Sequence, residues 1–432
     1  MSLLVAASRA TIVLAVVTII ESGPAARAIP AFPGAESFGS SGPADRRVLV
    51  ADPNSIFNTP TVPRPAYLQP IIDPVFRTRI TRITGDPGRT QGGVTWGDRA
   101  RHHSSHDQAW NADQSLLLIF NNGTPDDLLL DGETYEFKSA LDFRHDEIRW
   151  HPQEPHLLIY TRGNQLKAYN LKTNTHETLH EFTEYADTRY ALKLGPWAGN
   201  LSNDGKWIAF IARARSGEYE AFAYDIEKDN KHRPLELGRH GPDDKTLDWV
   251  SMSASGQYAV VHWTDTNTKV YDRNMNLVGK LPENISHFDL AVDVDGEDVA
   301  VGVSKPGKYD GSLIKLRLTD GHMTRLTFKG YAGHTSTRNL RRRGWAYVTY
   351  QTRSRNWPPF FDEVVAVKMD GSGQVERLAR MHALETDYRT EAQASPSPDG
   401  KRVVFASTWD SASGRPIGCY VIDTRHPAAS HE

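Results

Sequence analysis

Apolar residues along this chain arrive in short runs that alternate with polar positions, and each run is set off by a turn of small and polar residues. Alternation of this kind is the period of a strand whose two faces differ, and the runs are too short and too often punctuated for helices. One phrase recurs: a small or polar pair, then Asp-Gly or a degenerate form of it, then a β-rich apolar run. It reads WNADQSLLLIF at 110–120, WHPQEPHLLIY at 150–160, LSNDGKWIAFI at 201–211 and MSASGQYAVVHW at 252–263. Three more copies follow, VDVDGEDVAVGV at 292–303, NLRRRGWAYVTY at 339–350 and PSPDGKRVVFAS at 396–407. After each repeat comes a second alternating stretch ending in a turn, such as EVVAVKMDGSGQVERL.

Strand, tight turn, strand, loop, strand, turn, strand is one four-stranded antiparallel sheet, and a spacing of roughly 40 to 60 residues is that of a propeller blade. A single such sheet cannot bury both faces, whereas a ring of them buries each face against its neighbours. The pattern therefore predicts an all-β fold, a seven-bladed β-propeller with four-stranded antiparallel blades over 77–432. A solenoid would need shorter, more uniform repeats and capping units. RTRITRIT at 77–84, ahead of the first copy, has the alternation to be the outer strand that completes the last blade. Residues 29–76, rich in Pro and Gly, read as an irregular leader.

The first 28 residues differ from the rest. Arg9 precedes an apolar run from Ala10 to Ile20, and Ala26-Arg27-Ala28 offers small residues where a signal peptidase reads. A secretory signal is expected, hence a periplasmic or secreted protein with no membrane attachment after cleavage. With a net charge of -3 there is no basic excess for nucleic acid. The one cysteine, Cys419, has no partner for an internal disulfide and reads as a small buried hydrophobe. A monomer is expected.

In each blade the strand before the Asp-Gly turn is the innermost, so residues six to ten positions ahead of each turn should converge on one rim of the central channel. That rule collects His103 and His106, Arg144 and His145, Trp197, Asp248 and Trp249, His287 and Asp289, His334 and Arg338, and Glu391 and Gln393, with Tyr388 and Arg389 just before. A propeller rim is polar by construction, so one histidine there means little; four imidazoles beside arginines and carboxylates exceed what solubility needs. Arg341, Arg342 and Arg343 read as a solvated hairpin tip.

The sequence has no Gly-rich phosphate loop, no Gly-x-Ser-x-Gly elbow and no His-Glu-x-x-His helix, which removes nucleotide-dependent and common hydrolase chemistries. Imidazole, guanidinium and phenol at one mouth suit an acidic carbohydrate. Proton abstraction beside a uronate carboxylate needs a base and a cation to hold the charge that builds on the carboxylate. His103 and His106 are the first candidates for base and acid, with His145 and Tyr190 behind them. Arg101, Arg189 and Arg338 are candidates to bind the carboxylate, and Trp197 to stack on a sugar ring.

The worn Asp-Gly repeats, HHSSHDQAWNADQSLLL in the first blade and EAQASPSPDGKRVVFASTW in the last resemble the seven-bladed propeller polysaccharide lyases, a group that includes oligogalacturonate lyases, ulvan lyases and lyases of rhamnose-linked glucuronate. The resemblance implies β-elimination on a uronic-acid glycan, an acidic polysaccharide or oligosaccharide as substrate, and a His ahead of QAWNAD in the catalytic region. Oligogalacturonate lyases carry a His-Pro-His before the last SPDG to bind manganese, where this chain has Glu391-Ala392-Gln393. Rhamnose-linked glucuronate is accordingly expected over pectin. His287, His334 and Gln393 are the candidate set for a divalent ion, calcium, manganese or zinc. Two rival functions are a propeller hydrolase that releases rhamnose from glucuronate and a non-catalytic TolB-like binding propeller. IPAFPGAESFG at 29–39 is similar to the mature start of β-helix pectate lyases, over that stretch alone.

Overall fold

The recurring turn has a shared chemistry that explains why the phrase repeats. In the third copy Asp204 accepts from the Ser202 hydroxyl at 2.5 Å and from the Lys206 amide at 3.1 Å, while Gly205 takes φ 74°. The seventh copy repeats this with Ser397, Asp399, Lys401 and Gly400 at φ 71°. In both, the serine oxygen also receives the amide two residues past the glycine, Trp207 or Arg402. The carboxylate closes the turn and the glycine supplies the left-handed backbone that a residue with a Cβ rarely adopts.

The computed structural model describes residues 49–58, 60–195, 198–240, 246–263, 268–350 and 358–425. Among them the chain forms seven antiparallel sheets arranged as propeller blades, plus a small hairpin at Thr90–Gln91 and Val94–Thr95; a 3-10 turn at Tyr388–Thr390 is the one helical element. The first blade runs Ala100–Arg101, Leu116–Asn121, Asp127–Asp131 and Phe137–Ala140, from channel to rim. The last is built from both ends of the chain. Ser395–Pro396, Arg402–Ser407 and Gly418–Asp423 come from the C-terminal side, and Arg79–Arg82 pairs with Gly418–Asp423 from the N-terminal side. This is the closure that RTRITRIT predicts. Pro70–Ile72 adds a fifth strand outside it, within the span expected to be irregular. The signal segment and IPAFPGAESFG lie outside the described residues.

The core sits between blades, as a ring requires. Leu118, Leu129, Ile148 and Leu158 join the first blade to the second, and Phe182, Phe210 and Phe222 the second to the third. Similar clusters follow round the ring, until Val404, Cys419 and Val421 of the last blade pack on Leu117, Ile119 and Leu128 of the first. The N-terminal segment is held on the sixth blade by two buried arginines. Arg377, neutralised by Glu363 at 2.6 Å, donates to the Ser55 carbonyl at 2.7 Å, and Arg380 donates to that of Phe57 at 2.5 Å.

Candidate active site

The innermost strand of the first blade does not run through. Arg101 pairs with Phe120 and Trp110 bridges to Leu117, but between them residues 102–108 leave the ladder and enter the channel mouth. Neighbouring blades hold this excursion by its carbonyls. Asn200 donates to the His106 carbonyl at 2.9 Å and Ser395 to that of Asp107 at 2.7 Å. Gln108 in turn donates to the carbonyls of Arg338 and Pro396, at 2.9 and 3.1 Å. The segment that crowds three histidines is therefore a loop anchored on three other blades.

Two basins open on it, sharing Arg99, His103 and Phe120 in their walls. The first, about 610 Å³, is lined by Arg101, His106, Asp248, Trp249, His287 and Gln393, with Tyr388 and Arg389 at one side. The second, about 830 Å³, takes Phe143, His145, Arg189 and Tyr190 together with several Asp and Arg side chains. His103 stands at the junction.

His103 is held by Asp107, whose Oδ2 faces its Nδ1, while the other carboxylate oxygen sits 3.1 Å from Nε of Arg149. Burial alone would raise the Asp107 carboxyl, but Arg149 and His103 together keep it below the usual range, so it is ionised. An ionised acceptor on Nδ1 fixes the proton there and leaves Nε2 as the basic nitrogen of the neutral ring. With its side chain 28% exposed, His103 reaches the cleft, whereas Asp107 lines neither basin and Arg149, 5% exposed, contributes only to the wall of the second.

Arg101 lies in the first basin and is nearly buried. Its Nη1 donates to the carbonyls of Arg389 and Glu391 at 2.7 and 3.0 Å, yet its Nη2 is buried without a hydrogen-bond partner. Burial pulls its pKa down to about 10, which keeps it charged at neutral pH. Arg101 is thus a cation, 7% exposed, whose remaining surface lies in the wall of the first basin. His106, also buried, is pushed toward the neutral form by burial and has an unpartnered Nε2. His102, next to these in the basin wall, has its Nε2 engaged by the Gln393 carbonyl at 2.6 Å, and burial takes its pKa to about 3.

In the second basin, His145 Nε2 meets Asp127 at 2.9 Å. Tyr190 adopts φ 61°, held there by Asp146, which accepts from its amide at 3.0 Å and from that of Gly163 at 2.9 Å. Arg189 lies over the Tyr190 ring at 4.7 Å and donates to its hydroxyl at 2.9 Å. Burial raises the Tyr190 phenol, so it is protonated at neutral pH.

Of the expected site residues, the structure brings together His103, His106, Arg101, His287 and Gln393 in one basin and His145, Tyr190 and Arg189 in the next. Trp197 lies outside the described residues. Arg338 is drawn elsewhere: it is buried, forms a two-pronged ion pair with Asp289 at 2.9 Å on each arm, and lines a separate cavity of about 40 Å³ with Trp110 and Leu340. Asp107, Arg149 and Arg99 were not among the expected residues, although Asp107 follows His103 by four positions in the very segment that stood out.

His287, His334 and Gln393 do not fit a common metal ion in this arrangement. The two imidazoles stack with their planes 7° apart, so their in-plane lone pairs run side by side instead of converging, and Nε2 of His334 is engaged by Glu391 at 2.6 Å. Among the described residues no group of three or more His, Cys, Asp or Glu is placed to hold an ion.

No family model and no curated protein matches this chain. Among solved structures it is similar to an oligogalacturonate lyase in complex with manganese, at 14% identity and a TM-score of 0.60, covering 83% of this chain and 96% of that one. An oligogalacturonate lyase from Vibrio parahaemolyticus superimposes with a TM-score of 0.58 at 11% identity, over 82% of this chain and 96% of the other. At such identities the likeness is one of architecture: this chain has the seven-bladed propeller fold of the oligogalacturonate lyases.

Proposed function

We propose that the protein is a secreted lyase that cleaves a uronic-acid-containing glycan by β-elimination. The observation that carries this reading is the charged Arg101 in the wall of the same basin as the His103–Asp107 pair. The cation receives the uronate carboxylate, which acidifies the neighbouring C5 proton by stabilising the charge that builds on the carboxylate as that proton leaves. Nε2 of His103 takes the proton, and the C5–H electron pair becomes the C4=C5 double bond. The C4–O bond then breaks, and its oxygen leaves toward the second basin, where Tyr190 donates a proton with His145 beside it. His106 lines the uronate side. The fold shared with oligogalacturonate lyases supports the reaction class, and Glu391-Ala392-Gln393 in place of His-Pro-His supports a substrate other than pectin, with rhamnose-linked glucuronate as the expected one.

A second reading, hydrolytic release of a neutral sugar, has one observation in its favour: Asp126 and Asp187 both line the second basin. Ultraviolet absorbance separates the two, since only elimination creates a double bond conjugated to the carboxylate. The purified protein is expected to produce that chromophore on a uronate polymer and to lose it in the His103→Ala, His106→Ala double variant. Sugar release without the chromophore would establish hydrolysis instead.

A further inference from the structure

Two loops of the fifth blade, KPGKYDG at 305–311 and RLTFKGY at 325–331, carry four cations, three aromatic rings and one carboxylate, in a chain whose net charge is -3. Strand register places both on the cleft face. Ile285 pairs with Ser304, Val303 with Leu313, and the Leu326 amide donates to the Leu313 carbonyl at 2.9 Å. The segments that follow Ser304 and Leu326 therefore leave the blade at the end where His287 lines the first basin. The Ala332 amide joins them by donating to the Gly311 carbonyl at 2.9 Å. Glu283 fixes the first loop from below, accepting from the Ser304 hydroxyl at 2.9 Å and the Lys308 amide at 2.7 Å.

The cations stand over the rings. The Arg325 guanidinium lies 4.7 Å from the centre of Tyr309 and 5.0 Å from that of Phe328, with Lys308 at 5.1 Å from Tyr309 and Lys305 at 5.7 Å from Tyr331. Arg325 spends its hydrogen bonds on neutral oxygens, the Ser312 hydroxyl and the Thr327 carbonyl, both at 3.0 Å. Among the described residues none of the four cations makes an ion pair, although Glu283 and Asp310 are near. Rings that hold cations in place reduce the side-chain entropy lost when an anion binds. Lys308 and Lys329 are exposed, and Phe328, 58% exposed, offers an apolar face. Lys305 joins this strip to the first basin, since its charge reaches His287.

We infer that the strip on the fifth blade is a second glycan-binding site, which holds the acidic chain where it leaves the first basin on the reducing side of the cleaved bond. This rests on the lyase reading for the seat of the uronate and the direction of the chain. Carboxylates farther along the polymer meet Lys308, Arg325 and Lys329, while the C–H face of a sugar lies on Phe328. A chain held at both places binds more tightly than a fragment that fills the basin alone, because the second contact is made within one complex.

Chain length tests this apart from turnover. Affinity of the His103→Ala protein is measured by calorimetry for a tetrasaccharide and a dodecasaccharide, in two series, oligogalacturonate and alternating rhamnose–glucuronate. In at least one series the longer ligand is expected to bind at least about fivefold tighter. Adding Lys308→Gln and Lys329→Gln, two exposed positions, should reduce that gain to less than about twofold and leave the tetrasaccharide affinity unchanged. No gain with length in either series, a gain that survives the two substitutions, or an equal loss for both lengths overturns the inference. If the gain depends on the lysines but the wild-type protein yields no chromophore on either polymer, the elimination reading fails and the second binding site stands. If the chromophore forms but the lysines do not matter, the elimination reading stands and this inference fails.

Discussion

His287 and His334 lie face to face, their ring centroids 4.3 Å apart and their planes 7° apart. The contact depends on His287 taking φ 46° at an irregularity in its strand, between Ser286 and Asp289. Burial, and after it the neighbouring His334, hold His287 well below the ordinary histidine pKa, so the stack presents a neutral ring to the basin. Glu391 fixes the other ring.

This pairing predicts the response to manganese. An ion that binds only the folded protein raises the melting temperature in proportion to the logarithm of its concentration above Kd. With parallel rings and a carboxylate already on His334, millimolar Mn²⁺ is expected to leave the melting temperature within about 1 °C, and the double variant Glu391→His, Gln393→His to gain a concentration-dependent rise. A logarithmic rise in the wild-type protein would show that the rings reorient around an ion.

The His103–Asp107 pair predicts a tautomer effect. Asn at position 107 keeps the shape but can offer its amide N–H to Nδ1, which moves the ring proton to Nε2 and removes the base from the cleft. Asp107→Asn should therefore lower kcat by about 10²-fold or more with KM little changed, close to the loss in His103→Ala. A rise in KM alone would make Asp107 a loop anchor with no part in proton transfer.

The ring of blades was legible because its signal is local and repeated: Ser202-Asn203-Asp204-Gly205 and Ser397-Pro398-Asp399-Gly400 fold by the same bonds wherever they occur. The site was legible only where the chain keeps a regular strand direction up to the rim. Counting back from the turn selected His103, His106 and His287, which line the first basin, but also Arg338, whose charge Asp289 consumes from the neighbouring blade. Such a partner is distant in sequence, and no local pattern announces it. The excursion of 102–108 and the left-handed backbone at His287 and Gln393 break the alternation on which a period-two reading depends. Asp107 was in view, but only the fold shows that Arg149 keeps it ionised.

The buried histidines predict loss of stability in acid. His102 has a folded pKa of about 3, against 6.5 for the unfolded chain, because it is buried and faces Arg101. Between those values the unfolded state binds a proton that the native state refuses, so stability rises with pH through this window and is level above it. At pH 5 the native state should have lost about 2 kcal/mol through His102 alone, with His106 and His287 acting in the same direction. Chemical unfolding of His102→Gln, which can still donate to the Gln393 carbonyl, should show a shallower fall between pH 6.5 and pH 5 than wild type. Equal slopes would mean that the ring is charged in the native protein.

Closure of the ring predicts where the fold is most easily opened. Ile80 is buried, pairs with Ile422 of the last blade, and packs with Phe405, Leu378 and Val364, so one side chain ties the N-terminal strand to two blades. Ile80→Ala removes buried methyl groups from a site whose neighbours belong to four separate strands, and the cavity has little means to collapse; the cost should be about 2–4 kcal/mol in urea unfolding. Its neighbour Arg79 meets Asp423 at 2.6 Å on the solvent side, with the arginine side chain 29% exposed, and Arg79→Ala should cost less than about 1 kcal/mol. If the two variants lose equal stability, the strand is held by its ladder and its charges. If Ile80→Ala alone is severe, the ring is closed by apolar packing, and opening at this seam should be the first step of unfolding.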